Sequence, residues 1–203
     1  MTLSAQLWTD NADVAGAVLA HPFVGGIGDG SLPRRLFAGY IAQDAFFLES
    51  FARAYASALV RSPDTSTLLA LADLLGGVRQ ELRLHDSYAA SWGIDMAGVE
   101  PLGATSAYTE FLLATAITEE LGVVCAAMTP CMRLYAWLGQ SLARTAVAPT
   151  YADWVKTYSD PGFEALAVRL ETLLDTHATD TPAVRANYRR AMELEYGFFA
   201  ANL

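Results

Sequence analysis

Histidine, cysteine and basic residues are scarce in this sequence, and each shortage narrows what the chain can do. Three histidines and two cysteines occur in 203 residues. Cys125 and Cys131 lie six apart, which is neither a CxxC redox pair nor metal-ligand spacing, and at 100° per residue they point to different sides of a helix. Two free thiols in a reducing compartment are expected. Glu81 and His85 share a helix face at i and i+4, but a helical di-iron site needs several more carboxylates and histidines, and only His21 and His177 remain. His85 therefore reads as a structural hydrogen-bonding residue. Thirteen basic residues against twenty-two acidic ones give a net charge of -9, and the longest basic runs are the pairs Arg34-Arg35 and Arg189-Arg190. A phosphate backbone is repelled by such a surface, so no nucleic-acid partner is expected. No uncharged apolar run reaches the eighteen or so residues of a membrane span, and the N-terminus lacks a basic-then-apolar leader. The expectation is a soluble cytoplasmic protein with no membrane partner. Repeats, low-complexity tracts and strand patterns of useful length are also missing.

What the chain has is apolar residue at helical spacing. Hydrophobic residues make up 53% and charged ones 17%, enough for a large core in one domain and for buried faces between subunits. The spacing predicts a first helix over 3–20, then a glycine-rich connecting loop over 22–33 with room for one helical turn. A long helix from Pro33 to about 61, with Ser31 as its cap, follows. The next runs over 65–92, capped within Ser62-Pro63-Asp64, with Gly76-Gly77 as a place to bend. A second loop covers 93–105, and helix resumes at Ser106 with a break near Gly122. Shorter helices follow over 151–158 and 163–177, and a last one starts near Pro182. The fold class is all-α.

Three reactive side chains fall on the apolar stripes. Asp44 lies amid Leu36, Phe37, Tyr40, Ile41, Phe47, Leu48, Phe51 and Tyr55, and Glu195 lies between Met192 and Phe198-Phe199. A carboxylate in such a place is either paired, with an arginine for instance, or holds a raised pKa suited to proton donation. Pro130 predicts a kink or restart of the helix there, which would place Cys131 in a first turn whose free N–H groups stabilise a thiolate. The plainer reading of Cys131 is a small buried hydrophobe. If these stripes share one core, it holds a thiol, two carboxylates and several phenols, with aromatic walls suited to a flat heterocycle.

Six blocks in order then carry a resemblance: HPFVGGIGDGSLP (21–33), YIAQDAFFL (40–48), AYTEFLLATA (107–116), TPCMRLY (129–135), WVKTY (154–158) and ELEYGFF (193–199). The chain resembles the TenA family of thiaminase II, or aminopyrimidine aminohydrolase, enzymes, in the branch that carries a cysteine. The resemblance implies a haem-oxygenase-like helical bundle, with residues 1–203 forming a single domain of a homotetramer. It implies a central pyrimidine pocket that needs no haem, metal or other cofactor. It implies hydrolysis of an aminopyrimidine to ammonia and hydroxymethylpyrimidine for thiamin salvage, and cleavage of thiamin itself. By position, Cys131 matches the nucleophile, Glu195 the acid that protonates the departing amine, and Asp44 the carboxylate that binds and activates the ring. Tyr135 and Tyr158 match substrate-contacting phenols, and Tyr108 lines the same pocket. One departure stands out: many members carry a tyrosine where this chain has Phe47, and that phenol is credited with raising the nucleophilicity of the cysteine. The alternatives are a pyrimidine-binding or regulatory protein with weak catalysis because of Phe47, and a metal-dependent oxidase resting on Glu81 and His85.

Overall fold

The computed structural model describes residues 1–94, 98–145 and 147–203, and all regular structure among them is helical. Where the sequence predicts one helix over 3–20 there are two, α1 (Leu3–Asp10) and α2 (Ala12–Leu19). Asn11 separates them: its side-chain amide donates to the Leu7 carbonyl at 2.8 Å, the local competition that makes asparagine a helix breaker. The glycine-rich stretch expected to be a loop is largely helix, α3 (Pro22–Asp29). Pro22 takes the first helical position, the His21 ring accepts the Phe23 N–H at 3.3 Å, and Gly30 ends the helix with φ 77°. Glycine there serves packing: a Cβ on Gly26 would lie 3.0 Å from Leu32 and one on Gly28 2.9 Å from Leu142. Nor does Ser31 cap the next helix. Its own N–H donates to Asp29 at 2.9 Å, and α4 (Arg34–Val60) starts after Pro33 without a side-chain cap.

The second long helix, α5 (Thr65–Trp92), has the expected cap, Asp64 accepting the Thr67 N–H at 2.8 Å. It runs through Gly76-Gly77, where Gly77 lets Leu166 approach within 2.6 Å of a Cβ position. Part of the predicted loop over 93–105 lies outside the described residues. The next helix, α6 (Gly103–Thr118), begins three residues before Ser106, and the break expected near Gly122 falls at Glu119 and Glu120. Then come α7 (Leu121–Leu142), a 3₁₀ turn at Pro149–Tyr151, α8 (Ala152–Tyr158), α9 (Pro161–His177) and α10 (Pro182–Ala201).

The largest departure from expectation is at Pro130, which lies inside α7 without ending it. An interior proline removes a hydrogen bond and crowds the preceding turn, a cost of about 3 kcal/mol. Burial outweighs it, because sixteen of the 22 residues of α7 are buried against α9, α10, α8 and α6. Thr129 also donates its hydroxyl to the Cys125 carbonyl at 2.7 Å, in the turn before the proline. By length and composition α7 could cross a membrane, the one such helix among the described residues, with mean hydropathy 1.4 over 18 residues. Yet 83% of that window is buried inside the protein. Its apolarity belongs to a helix surrounded by other helices.

Around α7 the bundle is tied by charge and close approach. Arg133 holds Glu171 through two nitrogens at 2.6 and 2.7 Å and Glu164 at 2.9 Å, locking α7 to α9. At Gly139 a Cβ would meet the Tyr158 backbone at 2.4 Å, so α8 rides directly on α7 there. Gly139→Ala should lower the unfolding free energy by about 1–3 kcal/mol through overpacking. Gly76→Ala, with open space around it, should instead raise it by about 0.5–1 kcal/mol. Denaturant unfolding of both variants checks the pair.

Candidate active site

The aromatic stripes of α4, α7 and α10 do share one core, as the sequence requires if their polar residues are to meet. α4 supplies Asp44 and Phe47, α5 Glu81 and His85, α6 Tyr108, α7 Cys131 and Tyr135, α8 Tyr158, and α10 Glu195. Glu195 is 1% exposed, Asp44 4% and Cys131 8%, so their charges are felt with little screening by water.

On the α6–α10 side, Glu195 accepts a 2.6 Å hydrogen bond from the Tyr108 hydroxyl, and the Cys131 thiol stands close enough to act on the same carboxyl. The arginine partner that the plain reading of Glu195 requires is replaced by a phenol and a thiol. Burial pushes the Glu195 carboxyl up to about 8, against the pull of that phenol and thiol and with help from the charges of Asp44 and Glu81. It is therefore protonated at neutral pH. The Cys131 thiol goes the same way. Burial raises it well above the ordinary thiol range, and the charges of Glu195, Glu81 and Asp44 raise it further. A thiolate favoured by a helix N-terminus is thus corrected: with α7 continuous through Pro130, no first turn lies under Cys131.

On the α5–α8 side, Asp44 pairs with histidine. His85 Nε2 lies 2.8 Å from Asp44 Oδ2, and Nδ1 lies 2.8 Å from the Glu81 carbonyl. Both ring nitrogens face acceptors, so both are satisfied when the ring carries two protons. Burial opposes that charge, but Asp44 and Glu81 outweigh it and His85 is pushed up to about 9. Glu81 itself accepts from the Tyr158 hydroxyl at 2.5 Å, and burial with the nearby Asp44 pushes its carboxyl up. With both ring nitrogens engaged, His85 keeps its structural reading as a hydrogen-bonding residue.

Aromatic rings make the walls. Tyr135 packs on Tyr158 at 4.8 Å and on Phe199 at 5.7 Å between ring centroids, and its hydroxyl meets that of Tyr40 at 3.2 Å. Phe47, 3% exposed, lies 4.7 Å from the Tyr108 ring and 6.0 Å from Phe198. A cleft of about 590 Å³ between α5, α8 and α9 reaches this cluster from outside, with Glu81, Met132 and Phe163 in its lining. Cys131 is not in that lining; its chain neighbour Met132 is. Sequence reading missed Glu81 as a member of the cluster, although the i, i+4 relation to His85 had marked the face that both occupy.

The TENA/THI-4/PQQC family model matches residues 9–203. The chain belongs to that family. Among relatives of this TENA/THI-4/PQQC chain, the bifunctional TH2 protein, mitochondrial, of Arabidopsis thaliana is 36% identical over 89% of the chain. The chain spans 34% of that protein's length, and 27% of the thiamine biosynthesis multifunctional protein ThiED of Corynebacterium efficiens. An aminopyrimidine aminohydrolase of Halalkalibacterium halodurans is 34% identical over 88% of this chain and 83% of its own length. A TenA family transcription regulator from a Silicibacter species superposes with TM-score 0.91 at 28% identity, covering 98% of this chain and 95% of its own. A domain with a heme oxygenase-like fold from Shewanella denitrificans superposes with TM-score 0.77 at 17% identity, over 98% and 90%. The architecture is the haem-oxygenase-like helical bundle.

The buried groups make stability pH-dependent in one direction. Glu195, at about 8 when folded against 4.5 in a free chain, and His85, at about 9 against 6.5, each hold a proton that the unfolded chain gives up. Their contribution is complete below those free-chain values and is lost as pH rises through the folded ones. The Tm should therefore fall between pH 6 and 9. Glu195→Gln should flatten that fall, and an unaltered slope in this variant would refute the buried protonated carboxyl.

Proposed function

We propose that this chain is an aminopyrimidine aminohydrolase, or thiaminase II, of the cysteine-bearing branch of its family. It releases ammonia and 4-amino-5-hydroxymethyl-2-methylpyrimidine from the aminomethyl pyrimidine for thiamin salvage, and also cleaves thiamin to hydroxymethylpyrimidine and thiazole. The observation that carries this reading is the Cys131–Glu195–Tyr108 group, buried in the same aromatic-walled core as the Asp44–His85 pair. The different hydrogen-bond environments of these carboxyls support giving them different tasks, as acid–base catalysis requires.

In this reading the pyrimidine lies against Tyr135 and Tyr158, with Asp44 accepting from the ring's amino group while His85 keeps that carboxylate in place. The Cys131 sulfur forms a C–S bond at the exocyclic carbon as the C–N bond breaks, and the thiol's own proton passes to Glu195 in place of the one that Glu195 gives up. The proton on Glu195 goes to the departing amine. Water then replaces sulfur, and the balance is an aminomethyl group plus water giving a hydroxymethyl group plus ammonia. For thiamin the departing group is the thiazole, and the 590 Å³ cleft ending at Glu81 offers it a way out. The chain works without a cofactor, as a single-domain cytoplasmic homotetramer whose partner is a small pyrimidine.

A second reading is kept because burial and its acidic neighbours hold Cys131 protonated and residue 47 has no hydroxyl. It is a pyrimidine-binding or regulatory protein with weak catalysis. Purified protein given the aminomethyl pyrimidine or thiamin decides between them. Ammonia release that disappears in Cys131→Ser is the result expected of the hydrolase, and tight pyrimidine binding without product favours the binder. Phe47→Tyr should raise kcat roughly two- to tenfold, the worth of one hydrogen bond to the sulfur. An unchanged or lower rate in the folded variant would remove that role from position 47.

A further inference from the structure

An indole N–H can only donate a hydrogen bond, whereas a phenol donates one and also accepts. Three buried side chains of this core are joined under that rule. Trp154 Nε1 donates to the Tyr40 hydroxyl at 3.3 Å, and the Tyr40 hydroxyl donates to that of Tyr135 at 3.2 Å. A series that starts at an atom unable to accept has a preferred direction. Tyr40 has no exposed surface, and Tyr135 is the acceptor for its proton. Turning that bond round would leave the Tyr40 proton buried without an acceptor. The proton left over is that of Tyr135, which has no acceptor among the described residues.

The neighbouring phenols are committed differently. Tyr108 gives its proton to Glu195 at 2.6 Å, and Tyr158 gives its own to Glu81 at 2.5 Å. Helix spacing puts the uncommitted donor at the site. Tyr40 lies one turn before Asp44 on α4, and Tyr135 one turn after Cys131 on α7. The two hydroxyls therefore meet one turn, about 5.4 Å, from the carboxylate along one helix and from the thiol along the other. A heterocycle with its amino group on Asp44 and its exocyclic carbon at Cys131 extends over such a distance. A ring nitrogen with a lone pair and no proton is the acceptor that suits a donor there.

We propose that Trp154 and Tyr40 are positioning residues, whose hydrogen bonds fix the Tyr135 hydroxyl as a donor to an unprotonated ring nitrogen of the bound heterocycle, so that the site selects a pyrimidine over its carbon analogues. The proposal rests on the reading of this core as a pyrimidine site, and its test needs binding but no turnover. The probes are 4-amino-5-hydroxymethyl-2-methylpyrimidine and the two pyridines in which one or the other ring nitrogen is replaced by C–H. Calorimetric titration of the parent protein should show one pyridine bound roughly tenfold more weakly than the pyrimidine. Tyr135→Phe should abolish that preference. Tyr40→Phe, which keeps the ring, should shrink it by roughly threefold or more, because nothing then holds the Tyr135 proton in one direction. Trp154→Phe should do the same, because Tyr40 is then free to accept from Tyr135. A role in packing alone would weaken all three ligands alike and leave the ratio unmoved, and each ligand's basicity is common to every variant. An unchanged ratio in either folded variant overturns the proposal, as does a parent without the preference. A parent that binds none of the three removes the pyrimidine reading and the proposal with it. A preference lost in the variants of a protein that releases no ammonia sinks the hydrolase and leaves the positioning role standing.

Discussion

The Asp44–His85 pair is the constraint on which the rest of the site depends. A carboxylate 4% exposed, with Glu81 and Glu195 close enough to act on the same sulfur, would be untenable without a cation, and His85 supplies it at 2.8 Å. Its second nitrogen is anchored on the Glu81 carbonyl, one turn back on α5. The ring cannot turn without losing a bond at each end. That anchoring divides the carboxyl groups by role: Asp44 has the cation, whereas Glu195 has only a phenol and a thiol and keeps its proton. Environment, and not residue type, makes one an acceptor and the other an acid.

The same low dielectric works against ionisation of Cys131. Cys131 gains nothing from a helix end, because burial of α7 on all sides carries the helix through Pro130. The thiol is then held protonated by burial and by three acidic neighbours. A thiol held in this form is protected from oxidation and alkylation, since the thiolate is the reactive form. Reactivity has to arrive with something that lowers the local negative potential, either a hydrogen-bond donor already in place or a ligand that brings donors of its own. Under the proposed function an aminopyrimidine does the second, because its amino group would donate where Asp44 accepts.

Much of this was legible in the sequence. Periodicity alone put Asp44, Glu195 and Cys131 on buried stripes, since an isolated polar residue in a 3.6-residue apolar pattern marks its own face. The starts of α5 and α10 followed from Asp64 and Pro182 acting as ordinary start signals. What failed was local chemistry overruled by packing. Pro130 and the glycines of 22–33 read as breakers, yet both lie in helices whose neighbours need close approach or cover every face. Asn11 failed in the opposite sense: a polar residue at a tolerable position in the pattern turned its side chain onto the Leu7 carbonyl and split a helix. Pairings between elements were not legible either. Nothing in the spacing of Glu81 says that it meets Tyr158, seventy-seven residues away.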